Sequence, residues 1–275
     1  MDAIRSVGIV GLGKMGAPMA KHLLAAGFDV AGCDPSEAAR GAAAALGVRL
    51  LPSPRAVAEA CELVFIVVGF DREVEAAVFG KSGLAEEPRK GLIVALASTV
   101  APRYARELAL RAAEKGITLL DIPLARGEAA ALAGKLLVYG AGDEASFERC
   151  RPAFRAFASD IFHLGAAGAG QVGKMVNNLI LWACISANDE GLRLGEALGV
   201  DPARLRTALR HGSAQNWAMD ERAELSGMPW AEKDMSIVLH EADLARLSLP
   251  LCGTVKEAIK GLKVRMGLGL PPGSN

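Results

Sequence analysis

Apolar and polar positions follow two regimes along the 275 residues. Through about residue 165, short unbroken apolar runs recur: SVGIV, FDVAGCD, LVFIVV, GLIVALA, ITLLDIP and KLLVYGA. Runs of this length suit strands buried on both faces. Between them lie longer Ala-rich segments with helical spacing, including APMAKHLLAAG, SEAARGAAAALG, REVEAAVFG, PRYARELALRAAEKG and EASFERCRPAFRAF. Several end in glycine (Gly27, Gly47, Gly116), the residue that most readily takes the left-handed conformation closing a helix. Strands alternating with helices predict βαβ units and a mostly parallel, doubly wound sheet.

The regime changes at HLGAAGAGQ, residues 163–171. Beyond it no apolar run of strand quality occurs. A helical pattern covers about 171–198, and Asp201 with Pro202 supplies an N-cap and first-turn proline for PARLRTALRHG. Further helices are expected over about 232–247 and 250–265, and the final GLGLPPGSN reads as irregular. The expected organisation is an α/β domain over 1–165, then a smaller all-helical domain over 166–275 entered by a long interdomain helix.

Composition narrows the function. Thirty-one basic residues balance 31 acidic ones, so no surplus of positive charge points to nucleic acid. VKEAIKGLKVR, the richest basic stretch, reads as a solvated helix face. Five scattered cysteines and four histidines show no metal-ligand spacing, and no metal is expected. The odd, unpatterned cysteine set suits a reducing cytoplasm, and no apolar run reaches membrane-spanning length. The chain does not open on a charged, apolar leader, so secretion is not expected.

GLGKMG, residues 11–16, follows an expected strand and opens an expected helix, the context a dinucleotide fingerprint requires. Gly11 allows the tight turn, Gly13 lets the backbone approach a pyrophosphate, and Gly16 permits close helix–strand packing. Leu12, Lys14 and Met15 complete the turn, whose helix would aim its N-terminal amides at phosphate. Asp34 ends the next strand about twenty residues on, where a carboxylate can accept both ribose hydroxyls and repel a 2′-phosphate. NAD is therefore expected over NADP, which stays possible. A ligand-free turn, with Asp34 capping the following helix, is the competing reading.

Lys174 and Asn178 are four residues apart at the start of the long helix and share one face. A lysine there, in an expected interdomain cleft, could exchange a proton with an alcohol or carbonyl oxygen. Taken alone, a lysine in a helix is more often an ordinary helix residue. Trp217 and Trp230 suit packing better than a substrate pocket, and Cys184 and Cys252 read as small buried residues.

Five stretches in register resemble the β-hydroxyacid dehydrogenases, the 3-hydroxyisobutyrate dehydrogenase family. They are GIVGLGKMGAPMAKHLLAAG, ASTVAP, DIPLARGEAAALAGKL, GAGQVGKMVNN and EKDMSIVLHEADLARLSLPL. The resemblance implies a Rossmann-type domain joined to a helical domain like that of 6-phosphogluconate dehydrogenase, and hydride transfer between NAD(H) and a small β-hydroxy acid or its semialdehyde. By that resemblance Lys174 is the general acid/base and Asn178 orients the substrate. Val67, Val68 and Thr99 border the cofactor, and Lys233 reaches it from the helical domain. A homodimer or homotetramer is also implied.

The chain departs from the family's D-x-P-V-S-G-G, which would hold the substrate carboxylate, at DIPLARG. Ala125 and Arg126 replace the serine and first glycine, while Gly127 stays. Arg126 resembles the arginine of sulfolactaldehyde reductases, so a sulfonate joins carboxylate as a candidate anion; alternatively Arg126 faces solvent. An imine reductase and a non-catalytic dinucleotide sensor are the rival functions; retained Lys174 weighs against the first, and Lys174 with Asn178 against the second.

Overall fold

The computed structural model describes residues 3–221 and 228–269. In chain order the elements are β1 (Ser6–Val10), α1 (Gly16–Ala25), β2 (Asp29–Cys33), α2 (Glu37–Ala45), β3 (Arg49–Leu50), α3 (Pro54–Ala60), β4 (Leu63–Ile66), α4 (Asp71–Phe79), β5 (Ile93–Leu96), α5 (Pro102–Glu114) and β6 (Thr118–Asp121). There follow β7 (Leu124–Ala125), α6 (Gly127–Leu132), β8 (Leu136–Gly140), α7 (Glu144–Phe157), β9 (Ala158–His163) and the 29-residue α8 (Ala169–Ala197). The chain continues through α9 (Pro202–Leu209), α10 (Trp217–Glu221), α11 (Ala231–Leu244) and α12 (Pro250–Arg265). The final irregular-looking segment falls mostly outside the described residues.

Six strands form a parallel sheet in the order β3-β2-β1-β4-β5-β6. This is the doubly wound order, in which connections leave in opposite directions on either side of the β1/β4 pair. Side-chain alternation explains why each strand reads as an unbroken apolar run. Ile9, Leu63, Phe65, Ile93 and Ala95 enter one helix-covered core, and Val10, Val64, Ile66, Val94 and Leu96 enter the other. On the first face the Phe65 ring meets Phe154 and Phe157 of α7 edge-on, at 6.0 and 5.5 Å between centroids.

One expected strand belongs elsewhere. KLLVYGA supplies β8 of a separate three-stranded sheet, antiparallel to β7 and parallel to β9. A lone antiparallel bridge between Asp121 and Ala141 connects it to the end of β6.

Contacts divide the chain into two compact units, Met1–Lys174 and Met175–Asn275. The second has its own core, built from Trp182 and Ile185 of α8, Met235 and Val238 of α11, and Val255, Ile259 and Leu262 of α12. The basic stretch on α12 is not wholly solvated. Lys263 is 2% exposed, because helical period puts it beside Ile259 and Leu262, and its Nζ lies 2.5 Å from Glu232 Oε2. Trp217 and Trp230 stay about two-fifths exposed, at 42% and 41%, so neither belongs to this core. Cys252 is buried, whereas Cys184 is only half-buried.

Glu62, just before β4, stitches the first strand in place. Its Oε2 accepts the amides of Arg5 at 2.9 Å and Ser6 at 3.2 Å. Those bonds, the Arg5 amide foremost, hold the carboxyl below its ordinary value of 4.5. A depressed folded-state value stabilises above the unfolded value and is lost as pH falls through the folded one. Glu62→Gln should therefore cost about 1 kcal/mol at neutral pH. Urea titrations of both proteins from pH 7 to 3 should show the difference closing at the acid end.

Candidate active site

The carboxyl ends of β1, β2, β4 and β5 carry most of the residues expected to meet a cofactor. Gly11 has φ +100°, and a Cβ there would come 2.4 Å from the Val67 carbonyl oxygen. At Gly16, the first residue of α1, a Cβ would lie 1.9 Å from the Gly11 carbonyl oxygen. The protein's own packing therefore explains both glycines. It does not explain Gly13, where φ is not positive and a Cβ would meet nothing within 4 Å. The amides of Gly13, Lys14 and Met15 donate to no acceptor among the described residues. An open side with undonated N–H groups at a helix start is the cradle a pyrophosphate fits.

Asp34 is tied to this turn. One carboxylate oxygen accepts the Leu12 amide at 2.7 Å, and the other accepts Ser36 N at 2.8 Å. Ser36, not Asp34, caps α2, through its bond from Ala39 N. Each carboxylate oxygen can accept a second bond, so ribose hydroxyls can still be received. The neighbouring cation, Arg40, turns its Nη1 to the carbonyls of Asp34 and Pro35. Cys33, beside Asp34, is an inert thiol, pushed up to about 12 chiefly by burial.

Val67 prolongs the ladder by donating to the Val10 carbonyl at 2.8 Å, and Val68 N donates to Ser98 Oγ at 2.9 Å. Val67, Val68 and Thr99 are half-buried. The segment carrying Thr99 is clasped by Gln171 of α8: Nε2 donates to the Ser98 carbonyl at 3.0 Å, and Oε1 accepts Val100 N at 3.1 Å. Gln171 is itself held by Asp121, the fully buried last residue of β6. Asp121 accepts Gly168 N and Gln171 N, one on each oxygen, both at 2.9 Å. Burial holds the Asp121 carboxyl above its ordinary value, an effect that these N–H bonds only partly offset. Lys174, half-buried, follows within the next turn of α8.

Ser98, Asp121 and Gln171 are not among the residues the sequence singles out. The available signal was Asp121 itself, a carboxylate closing an otherwise apolar strand.

Arg126 has a different setting from the two weighed for it. Its Nη1 pairs with Asp160 Oδ2 at 2.6 Å and also donates to Ser159 Oγ and the Lys135 carbonyl. Its guanidinium therefore faces β9, as part of an ion pair. Ala125 is buried in β7. Arg126 and Gly127 have φ +82° and +74°, and left-handed geometry costs a side-chain-bearing residue about 1 kcal/mol. Arg126→Gly and Arg126→Ala both lose the ion pair, so comparing them isolates the backbone. The glycine variant should melt about 2–4 °C above the alanine one. Lys14 and Glu128 are paired across solvent at 3.4 Å, a contact worth about 0–1 kcal/mol.

In the second unit, Asn178 is 5% exposed and donates from Nδ2 to Asp234 Oδ2 at 2.8 Å. Trp182 Nε1 donates to the same oxygen at 3.1 Å, and Asn177 Nδ2 donates to Asn178 Oδ1 at 2.9 Å. Lys233 lies next to Asp234 on α11, its ammonium 5.7 Å from the Trp230 ring centroid. The structure thus gathers the glycine turn, Asp34, Val67, Val68 and Thr99 on one sheet edge, and Asn178 and Asp234 as a bonded pair on α8 and α11.

Comparison with known proteins agrees with this architecture. Residues 6–165 match the family model described as the NAD binding domain of 6-phosphogluconate dehydrogenase. Residues 168–269 match the NAD-binding region of NADP-dependent 3-hydroxyisobutyrate dehydrogenase. The chain is 32% identical to L-threonate dehydrogenase of Cupriavidus necator, over 90% of this chain and 86% of that one. It is 34% identical to 3-hydroxyisobutyrate dehydrogenase of Pseudomonas aeruginosa, over 89% and 88%. Among solved structures, 3-hydroxyisobutyrate dehydrogenase from Salmonella typhimurium superposes with a TM-score of 0.84 at 27% identity, covering 96% of each chain. No helix among the described residues is long and apolar enough to cross a membrane. With its doubly wound sheet, open glycine turn and helical second unit, the chain belongs to the β-hydroxyacid dehydrogenase family, that of 3-hydroxyisobutyrate dehydrogenase, and is an NAD(P)-dependent oxidoreductase acting on CH–OH groups.

Proposed function

We propose that this chain oxidises a small β-hydroxy acid carrying a carboxylate, or reduces the matching semialdehyde, with NAD(H) as cofactor and Lys174 as general acid/base. The observation carrying this reading is Lys174 itself, within one turn of the buried Asp121–Gln171 contact, with Asn178 one turn further along α8. With its pyrophosphate held on the glycine turn, the dinucleotide would supply through its nicotinamide the two-electron acceptor for the hydride leaving the hydroxyl-bearing carbon. Neutral Lys174 takes the hydroxyl proton as the carbonyl forms, and ammonium returns it in the reverse direction. Asn178, its amide oriented by Asp234, offers its remaining hydrogen-bonding capacity to the substrate oxygen.

NAD preference rests on negative charge at the ribose end. Asp34 is joined by Glu37 in the first turn of α2, and Arg40 turns its Nη1 to backbone carbonyls. A 2′-phosphate would meet two carboxylates there. The substrate class rests on the relatives named for L-threonate and 3-hydroxyisobutyrate, both hydroxy carboxylates.

Steady-state turnover tests the whole reading. L-threonate, 3-hydroxyisobutyrate and sulfonate analogues of each would be offered with NAD and, separately, NADP. Turnover of a carboxylate with kcat/KM at least about tenfold higher for NAD, a difference of about 1.4 kcal/mol, supports it. Preference for the sulfonates, lost on Arg126→Ala, would transfer the anion-binding role to Arg126. NADH binding without turnover of any compound would favour a sensor.

A further inference from the structure

We infer that Asp121 and Gln171 are positioning residues for Lys174, locking the first turn of α8 to β6 and to the Ser98–Val100 segment. The inference rests on the acid/base reading of Lys174. It comes from how the head of α8 is capped. Helices α2, α3, α7 and α9 are each capped locally, by Ser36, Ser53, Asp143 and Asp201 immediately before their first residue. Such caps satisfy amides and leave a helix free to shift as a body. The head of α8 is capped instead by a strand residue 47 and 50 positions away, from a carboxylate with no solvent exposure.

A buried carboxylate is costly unless its bonds are made. Here one oxygen accepts the Gln171 amide of α8 and the other the amide of Gly168, the residue just before the helix, so sliding the helix would leave the buried carboxyl without its partners. The Gln171 side chain adds a second tie. It bonds the residues on both sides of Thr99, while Ser98 Oγ holds Val68 N. Close packing leaves little slack: a Cβ on Gly170 would come 2.7 Å from Asp121 Oδ2, and one on Gly173 would come 2.5 Å from Leu164 Cδ1. Lys174 lies three residues beyond Gln171, a rise of about 4.5 Å along the axis. Slack in the first turn therefore reaches the ammonium directly, and an error of about 1 Å in a reacting group can cost about a hundredfold in rate.

Two variants test this with the best substrate of the panel above. Gln171→Met keeps the length of the side chain and removes both bonds. Asp121→Asn keeps the shape of the carboxylate and replaces one acceptor with a donor. Each should lower kcat about 10- to 100-fold, with KM and the NADH Kd, read by NADH fluorescence, within about threefold of the parent. Gln171→Met leaves the Ser98 carbonyl and Val100 amide unpaired, so its melting temperature should fall by no more than about 10 °C and the variant should stay folded at assay temperature, informative even if Asp121→Asn folds poorly. In the Lys174→Ala background, Gln171→Met should lower residual turnover by less than about twofold, because the group it positions is gone.

Parental kcat in Gln171→Met would overturn the inference, as would a full further loss on top of Lys174→Ala or a loss carried by NADH affinity. If Lys174→Ala itself keeps turnover, the acid/base reading fails first, a result separate from either variant.

Discussion

Replacing Lys174 with alanine should lower kcat about a hundred- to ten-thousand-fold, the range of a removed general acid or base. NADH should still bind, because the turn that would receive the dinucleotide is built by residues 11–16 and tied to Asp34 through the Leu12 amide. Far-ultraviolet circular dichroism and melting temperature should match the parent, since Lys174 is only half-buried and belongs to none of the three cores. Steady-state rates paired with a fluorescence titration of NADH make the comparison. Retained turnover would remove the lysine from the chemistry. Loss of NADH binding in step with turnover would make it a cofactor ligand.

The second large effect separates two glycines of the same turn. Gly16→Ala puts a methyl where the Gly11 carbonyl oxygen already stands, 1.9 Å away, and neither partner is a flexible side chain. The clash should cost roughly 2–3 kcal/mol of stability, a fall of about 5–10 °C in Tm for a chain this size. Gly13→Ala puts the same methyl into open space, so its Tm should stay within about 2 °C of the parent. Its effect should fall on the dinucleotide: the NADH Kd should rise at least about tenfold, or 1.4 kcal/mol. Thermal melts with and without NADH read both numbers. A Gly13→Ala protein that binds NADH as the parent does would mean that the cofactor approaches elsewhere.

The contrast between those glycines also marks what could be read from sequence. The turn, the strand before it and the helix after it are local, encoded by residues within about twenty positions, and the sheet edge followed from them. Short or weakly patterned elements escaped notice. β3 is two exposed residues, Arg49 and Leu50, and β9 has no clean alternation. KLLVYGA is apolar enough for any sheet, and only its pairing with Leu124 and Ala125 sends it to the smaller one. The polar ties of the site were hidden for the same reason. Asp121 has no visible role in the sequence until Gly168 and Gln171, some fifty residues on, bring amides to it. Arg126 reads as a cation awaiting an anion until Asp160 answers it from 34 positions away. Lys263 reads as one more cation on a solvated helix face until Glu232, 31 positions earlier, pairs with it.

The left-handed backbone at Arg126 has a historical consequence. Its conformation is the one best suited to glycine, the residue that the motif it resembles has there, so an arginine at this position needs a reason beyond the backbone. Such a replacement survives where it gains a partner, and here the partners are Ser159 and Asp160 on β9. Positions 126 and 160 should therefore have changed together in descent. Relatives with arginine at the first should carry an acid at the second, and those with glycine should leave the second free to vary.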